Sequence, residues 1–116
     1  DIISLNAPLT PETSGLITAE TLNLVKNDVL IINTARGQLI DEQAVAAALK
    51  SKRIGGYAAD VLASEPPQQN NPLFGCPNCI ITPHIAWQSR QARQRLLAIA
   101  VENFKQFVAG TPQNCI

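Results

Sequence analysis

Four residues of this chain could act together on a small carboxylic acid: Arg36, Asp60, Glu65 and His84. A planar guanidinium grips a carboxylate through parallel charge-assisted hydrogen bonds worth about 1.5–3 kcal/mol each, and Arg36 suits that grip. His84 is the only histidine, and imidazole is the side chain that titrates nearest neutrality, so it suits proton delivery to a carbonyl oxygen. A carboxylate beside the ring favours its charged form and fixes its orientation, and Glu65, in the turn Ser64-Glu65-Pro66, is the candidate. These groups meet the needs of reversible 2-keto acid reduction except for the hydride, which no side chain provides and a cofactor must. Singly, an arginine reads as a surface charge and a histidine as a structural residue. The chemistry is in the combination.

The combination requires elements that end at one rim. Asp1–Leu5 and Val29–Asn33 are short, apolar and without polar alternation, the pattern of strands covered on both faces by helices in a parallel sheet. Tyr57–Val61 and Cys79–Thr82 continue the series. Pro8 and Pro11 take the chain out of the sheet after the first strand, and Thr18 can cap a short helix over Ala19–Lys26. Asp41 supplies an N-cap, Glu42 an acidic first turn, and the alanine-rich run to Ser51 a second helix. Gly37 ends the second strand's loop, where glycine is free to take positive φ. Ser64–Asn78, rich in proline, is a long surface loop. Leu97, Val101, Phe104 and Val108 recur at helical steps, predicting a helix from about Gln88 to Ala109 with one apolar stripe, stopped by Gly110 and Pro112.

The predicted class is α/β, the second half of a doubly wound parallel (Rossmann-type) sheet with about four strands and flanking helices. In such sheets ligands bind at the strands' carboxyl ends, and Arg36, Asp60, Glu65 and His84 all follow those ends.

Composition narrows the functional classes. Nine basic and nine acidic residues cancel, leaving no charge excess to hold nucleic acid or an anionic membrane surface. The longest apolar run, around Val29–Asn33, falls well short of the roughly 18 residues that span a bilayer, so a soluble, cytoplasmic protein is expected. Cys76-Pro77-Asn78-Cys79 is formally a C-x-x-C motif, but no second pair or histidine cluster completes a metal site. No metal is expected.

The segments Asn33-Thr34-Ala35-Arg36-Gly37, Leu39-Ile40-Asp41-Glu42, Ala59-Asp60-Val61 with Glu65-Pro66, and Thr82-Pro83-His84-Ile85-Ala86 resemble, in order and spacing, the D-isomer-specific 2-hydroxyacid dehydrogenase family. The resemblance runs from Asp1 to Ile116. It implies that Arg36 binds substrate, that Glu65 and His84 form the acid–base couple, and that Asp60 contacts the nicotinamide end of the cofactor. It also implies a cofactor cleft lined by Pro8, Thr13, Thr34, Ala35, Arg36 and His84. The segments Asn71-Pro72-Leu73 and His84-Ile85-Ala86-Trp87 are most similar to the family's glycerate dehydrogenases (hydroxypyruvate reductases), which implies a small substrate such as hydroxypyruvate and a homodimer. Trp87 would wall the substrate pocket or pack the start of the last helix.

The chain departs from the family in carrying no G-x-G-x-x-G loop and no ribose-binding acid beyond it. The expectation is therefore that residues 1–116 are the C-terminal part of a dinucleotide-binding domain, inactive alone, with NAD and NADP not distinguished. An alternative from another class is a nucleotide-sensing module resembling the C-terminal-binding-protein corepressors. A third is a bare structural domain, in which substitution of Arg36 or His84 would change no activity.

Overall fold

The computed structural model describes residues 1–115, which fall into two units, Asp1–His84 and residues 85–115. In the first unit β1 (Ile2–Leu5), β2 (Leu30–Asn33), β3 (Gly56–Ala59) and β4 (Cys79–Ile81) form one sheet in that spatial order. All pairings are parallel, with Leu5 beside Asn33, Asn33 beside Ala59 and Ala59 beside Ile81. Parallel neighbours need crossovers. These run through α1 (Ala19–Leu22), α2 (Glu42–Lys50) and the irregular segment between β3 and β4. This is the expected α/β Rossmann-type arrangement, and its register brings the three loops after β2, β3 and β4 to one edge.

Side chains alternate across the sheet, and the two faces differ. Leu5, Ile31, Asn33, Tyr57 and Ala59 share one face and are buried, joined in the core by Val45 and Leu49 of α2 and Leu22 of α1. On the opposite face Ile2, Leu30 and Ile80 are 63%, 45% and 66% exposed. Within this chain only one of the two faces is covered. Apolar runs mark strands whose two faces are both apolar, but the cover depends on what packs there.

Caps explain most boundaries. Asp41 Oδ1 accepts from the backbone N–H groups of Gln43 and Ala44 at 2.9 and 3.1 Å, starting α2 as predicted. Thr18 and Thr21 form a reciprocal capping box on α1. That helix stops at Leu22, short of the predicted Lys26: Asn23 N–H and Leu24 N–H donate three residues back, to Glu20 O and Thr21 O, and Arg53 satisfies the carbonyls of Val25 and Lys26 beyond. The third and fourth strands each end earlier than predicted, releasing Asp60 and Thr82 to the rim. The loop after β3 is less superficial than expected: Leu73 and Cys76 are buried and anchor it in the core.

In the second unit a short 3-10 turn, Ala86–Gln88, precedes α3 (Arg90–Val108). Ser89 Oγ accepts from Ala92 N at 3.1 Å, setting the start just after the predicted Gln88. Gly110, at φ 74°, ends the helix in the left-handed region, as its position suggested. The predicted stripe Leu97, Val101, Phe104 and Val108 is exposed, Leu96 and Phe107 extend it to one side, and Ile99 is exposed on the opposite side of the helix. No helix of the described residues is long and apolar enough to cross a membrane.

Candidate active site

The first arm of the site is the turn after β2. Asn33 closes that strand with a fully buried side chain whose Nδ2 donates to Arg36 O at 2.9 Å and whose Oδ1 accepts from Ala35 N at 3.1 Å. One buried amide thus satisfies both ends of the turn that presents Arg36. The Arg36 side chain is exposed, its Nη1 donating to Ala35 O at 2.7 Å. Gly37 is needed here for a reason other than the expected positive φ, which it does not adopt. A Cβ at Gly37 would lie 2.0 Å from the carbonyl carbon of Leu62, so only glycine lets the two backbones touch.

The second arm is the pair Glu65 and His84. His84 Nδ1–H donates to Glu65 Oε2 at 2.7 Å, and Leu62 N–H donates to Glu65 Oε1 at 3.0 Å, so both carboxylate oxygens are engaged. The hydrogen bond from His84, then that from the Leu62 backbone, hold the Glu65 carboxyl below the usual carboxylate range. An ionised Glu65 places the proton on Nδ1 and leaves Nε2 as the ring atom able to exchange a proton with substrate. His84 sits at φ 55°, in the left-handed region that non-glycine residues rarely occupy, and such strain concentrates at functional sites.

Arg36, Glu65 and His84 line one cleft of about 280 Å³ with Gly37, Gln38 and Ala63. A neighbouring cleft of about 360 Å³ shares Glu65 and His84 and adds Asp60, Phe74, Ile81 and Thr82. Asp60 is a buried carboxylate, 4% exposed, and accepts from Thr82 Oγ1. The Glu65–His84 pair therefore stands between a cleft holding a guanidinium and one with a buried carboxyl group and apolar walls. Pro8, Thr13, Thr34 and Ala35 line neither. Thr13 Oγ1 donates to Pro8 O at 2.6 Å and accepts from Thr10 N at 2.8 Å, which orders the proline turn. Ala35 packs against the core.

Sequence reasoning gave no role to Asn33 and Thr82. Their signal was a polar residue closing an otherwise apolar strand. Among the described residues, no cluster of three or more His, Cys, Asp or Glu is placed to hold a metal, and Cys76, Cys79 and Cys115 are free thiols. Burial, then Cys76 nearby, pushes the Cys79 thiol up, the opposite of what thiolate chemistry requires.

Residues 1–86 match the model described as D-isomer specific 2-hydroxyacid dehydrogenase, NAD binding domain. The chain is 49% identical to the glycerate dehydrogenase of Methylorubrum extorquens, covering 100% of this chain and 38% of that relative. It is 44% identical to the hydroxypyruvate reductase of Blautia hydrogenotrophica, covering 100% and 36%. Among solved structures it superposes on an acyclic imino acid reductase in complex with NADPH and D-arginine with a TM-score of 0.91 at 40% identity, covering 100% of this chain and 37% of that one. With the D-lactate dehydrogenase of Lactobacillus jensenii, solved with NAD+, the TM-score is 0.87 at 30% identity, covering 100% and 39%. The chain spans well under half the length of each.

Proposed function

Because this chain belongs to the D-isomer-specific 2-hydroxyacid dehydrogenase family, we propose that it forms the C-terminal part of the dinucleotide-binding domain of a longer NAD- or NADP-dependent dehydrogenase. That protein interconverts a small D-2-hydroxy acid and its 2-keto acid, with glycerate and hydroxypyruvate the preferred pair, and is a cytoplasmic homodimer. The observation that carries the reading is the 2.7 Å contact between His84 Nδ1 and Glu65 in the cleft that Arg36 also lines.

The geometry supports the following roles. Arg36 grips the substrate carboxylate, with its guanidinium turning from Ala35 O toward the cleft. His84 Nε2 gives its proton to the carbonyl oxygen in reduction and takes it back in oxidation, while Glu65 holds the ring by Nδ1 and balances its positive charge. The second cleft fits the nicotinamide end of the cofactor, since Leu62, Phe74 and Ile81 offer apolar walls for a planar ring and Asp60 an acceptor for a carboxamide N–H. Bound there, the cofactor supplies or receives the hydride. Thr34, Ala35, Pro8 and Thr13 would follow the dinucleotide along the rim. The nucleotide-sensing alternative draws no support from relatives named as dehydrogenases and reductases.

The test is steady-state reduction of hydroxypyruvate and glyoxylate by the longer protein with NADH or NADPH. Replacing His84 by alanine should lower kcat by about 10²–10⁴-fold and affect turnover more than substrate binding. Unchanged turnover in that variant would refute the assignment. The isolated chain should be inactive, as it holds neither a glycine-rich phosphate loop nor its ribose-binding acid.

A further inference from the structure

Glu65 is carried by a segment with no strand or helix of its own, so other groups must set where its carboxylate stands. Just before it in the chain, both backbone polar groups of Ala63 are taken by side chains from the segment that follows Arg36. Ala63 N–H donates to Glu42 Oε1 at 2.8 Å, and Gln38 Nε2 donates to Ala63 O at 3.0 Å. After Glu65 in the chain, Asn71 Nδ2 donates to the other Glu42 oxygen, Oε2, at 2.8 Å. Asn71 Oδ1 in turn accepts from the backbone N–H of Leu73, whose side chain is 1% exposed, so this end of the bridge is rooted in the core.

An acidic residue in a helix's first turn ordinarily does no more than complement the helix dipole in solvent. Glu42 instead commits both oxygens across the base of the loop that holds Glu65. Gly37 closes the same junction by its backbone contact with Leu62. Three residues following Arg36 are thus docked onto the two preceding Ser64 and Glu65.

We propose that Glu42 and Gln38 are positioning residues that clamp Ala63 and Asn71, and so set the separation between the Arg36 guanidinium and the Glu65–His84 pair. A substrate held by its carboxylate then has its carbonyl oxygen within reach of His84 Nε2. Glu42 lines neither cleft and acts only through the groups it holds, while Gln38 stands in the wall of the Arg36 cleft and acts through its bond to Ala63 O. The inference rests on reading Glu65 and His84 as the acid–base couple, and displacement of a reacting group by 1 Å can cost on the order of 100-fold in rate.

The experiment compares kcat, KM and pH profiles for hydroxypyruvate reduction by the longer protein in four forms beside wild type: Glu42→Gln, Gln38→Ala, Glu65→Gln, and Glu42→Gln combined with Asn71→Asp. Glutamine at position 42 keeps an oxygen for Ala63 N–H but turns an amide NH2 toward that of Asn71. The added Asn71→Asp change supplies it with an acceptor and leaves one for Leu73 N–H. The expected result is a kcat lower by about tenfold for Glu42→Gln and about threefold for Gln38→Ala, with cofactor KM within about twofold. The double substitution should return kcat to within about threefold of wild type, with the pH profile restored.

Wild-type kcat in both single variants, alongside an impaired Glu65→Gln, would overturn the clamp and leave the acid–base couple standing. Wild-type kcat in Glu65→Gln would overturn the couple itself. A loss that the double substitution does not recover, and that follows a lowered melting temperature with an unmoved pH profile, would make Glu42 merely structural and also overturn the clamp. If Glu42→Gln does not fold, Gln38→Ala decides the matter, since that side chain is exposed: a lowered kcat at unchanged hydroxypyruvate KM supports the clamp, and a raised KM at unchanged kcat overturns it.

Discussion

From Asp1 to His84 the apolar side chains close around Ile31, Leu39, Val45 and Tyr57, none more than 2% exposed, whereas along α3 no side chain is buried. Both regions have the apolar content of folded protein. The first gathers it from strands and helices distant in sequence; the second holds it on one helix, whose turns cannot cover one another. The consequence for function is that every proposed chemical group stands on the part with a core. Arg36, Asp60, Glu65 and His84 leave the ends of β2, β3 and β4, and their turns are tied by buried Asn33, buried Leu73 and the Gly37 contact. Within α3 the contacts are local: its Ser89 cap, the Gln106–Glu102 hydrogen bond at 2.8 Å and its glycine stop.

The contrast can be broken by substitution. Gly37→Ala should have the largest effect, since the added Cβ meets backbone rather than a movable side chain. A loss of about 3 kcal/mol or more is expected in urea unfolding of this chain, and a loss under about 0.5 kcal/mol would show that the two turns separate freely. Phe104→Gln or Leu97→Gln in α3 should change the same measurement by no more than about 0.5 kcal/mol, because neither side chain is buried. A cost of core size in this chain would erase the distinction between the regions.

The smallest effect sharpens the picture at the rim. Glu65 is held below its usual value of 4.5, so its contacts stabilise the fold above that pH and lose this contribution as pH falls through the lower folded value. The stability difference between wild type and Glu65→Gln should therefore shrink below about pH 4.5. A difference that persists undiminished to pH 3 would mean that the carboxylate's charge is not what holds it.

Much of this was legible before any coordinates. Uninterrupted apolar runs mark parallel strands, Asp41 and Gly110 mark helix ends, and residues just beyond strand ends mark the ligand edge, because each signal is local to a few residues. Less legible were the short α1, whose following carbonyls are met by Arg53 from a distant segment, and which face of the sheet this chain covers. The need for glycine at position 37 was predicted, but for the wrong reason: positive φ is a property of one residue, whereas the actual cause is the backbone of Leu62.

Residue types, their order and the ends of the elements belong to the sequence alone, since propensity, capping and alternation act over one turn or one strand. That His84 Nδ1 faces Glu65, that Glu42 faces Ala63 and Asn71, and that Asn33 folds back on Arg36 were decided by tertiary packing. A hydrogen bond requires its atoms within about 3 Å, and spacing along a chain constrains distance that tightly only where the backbone between is regular.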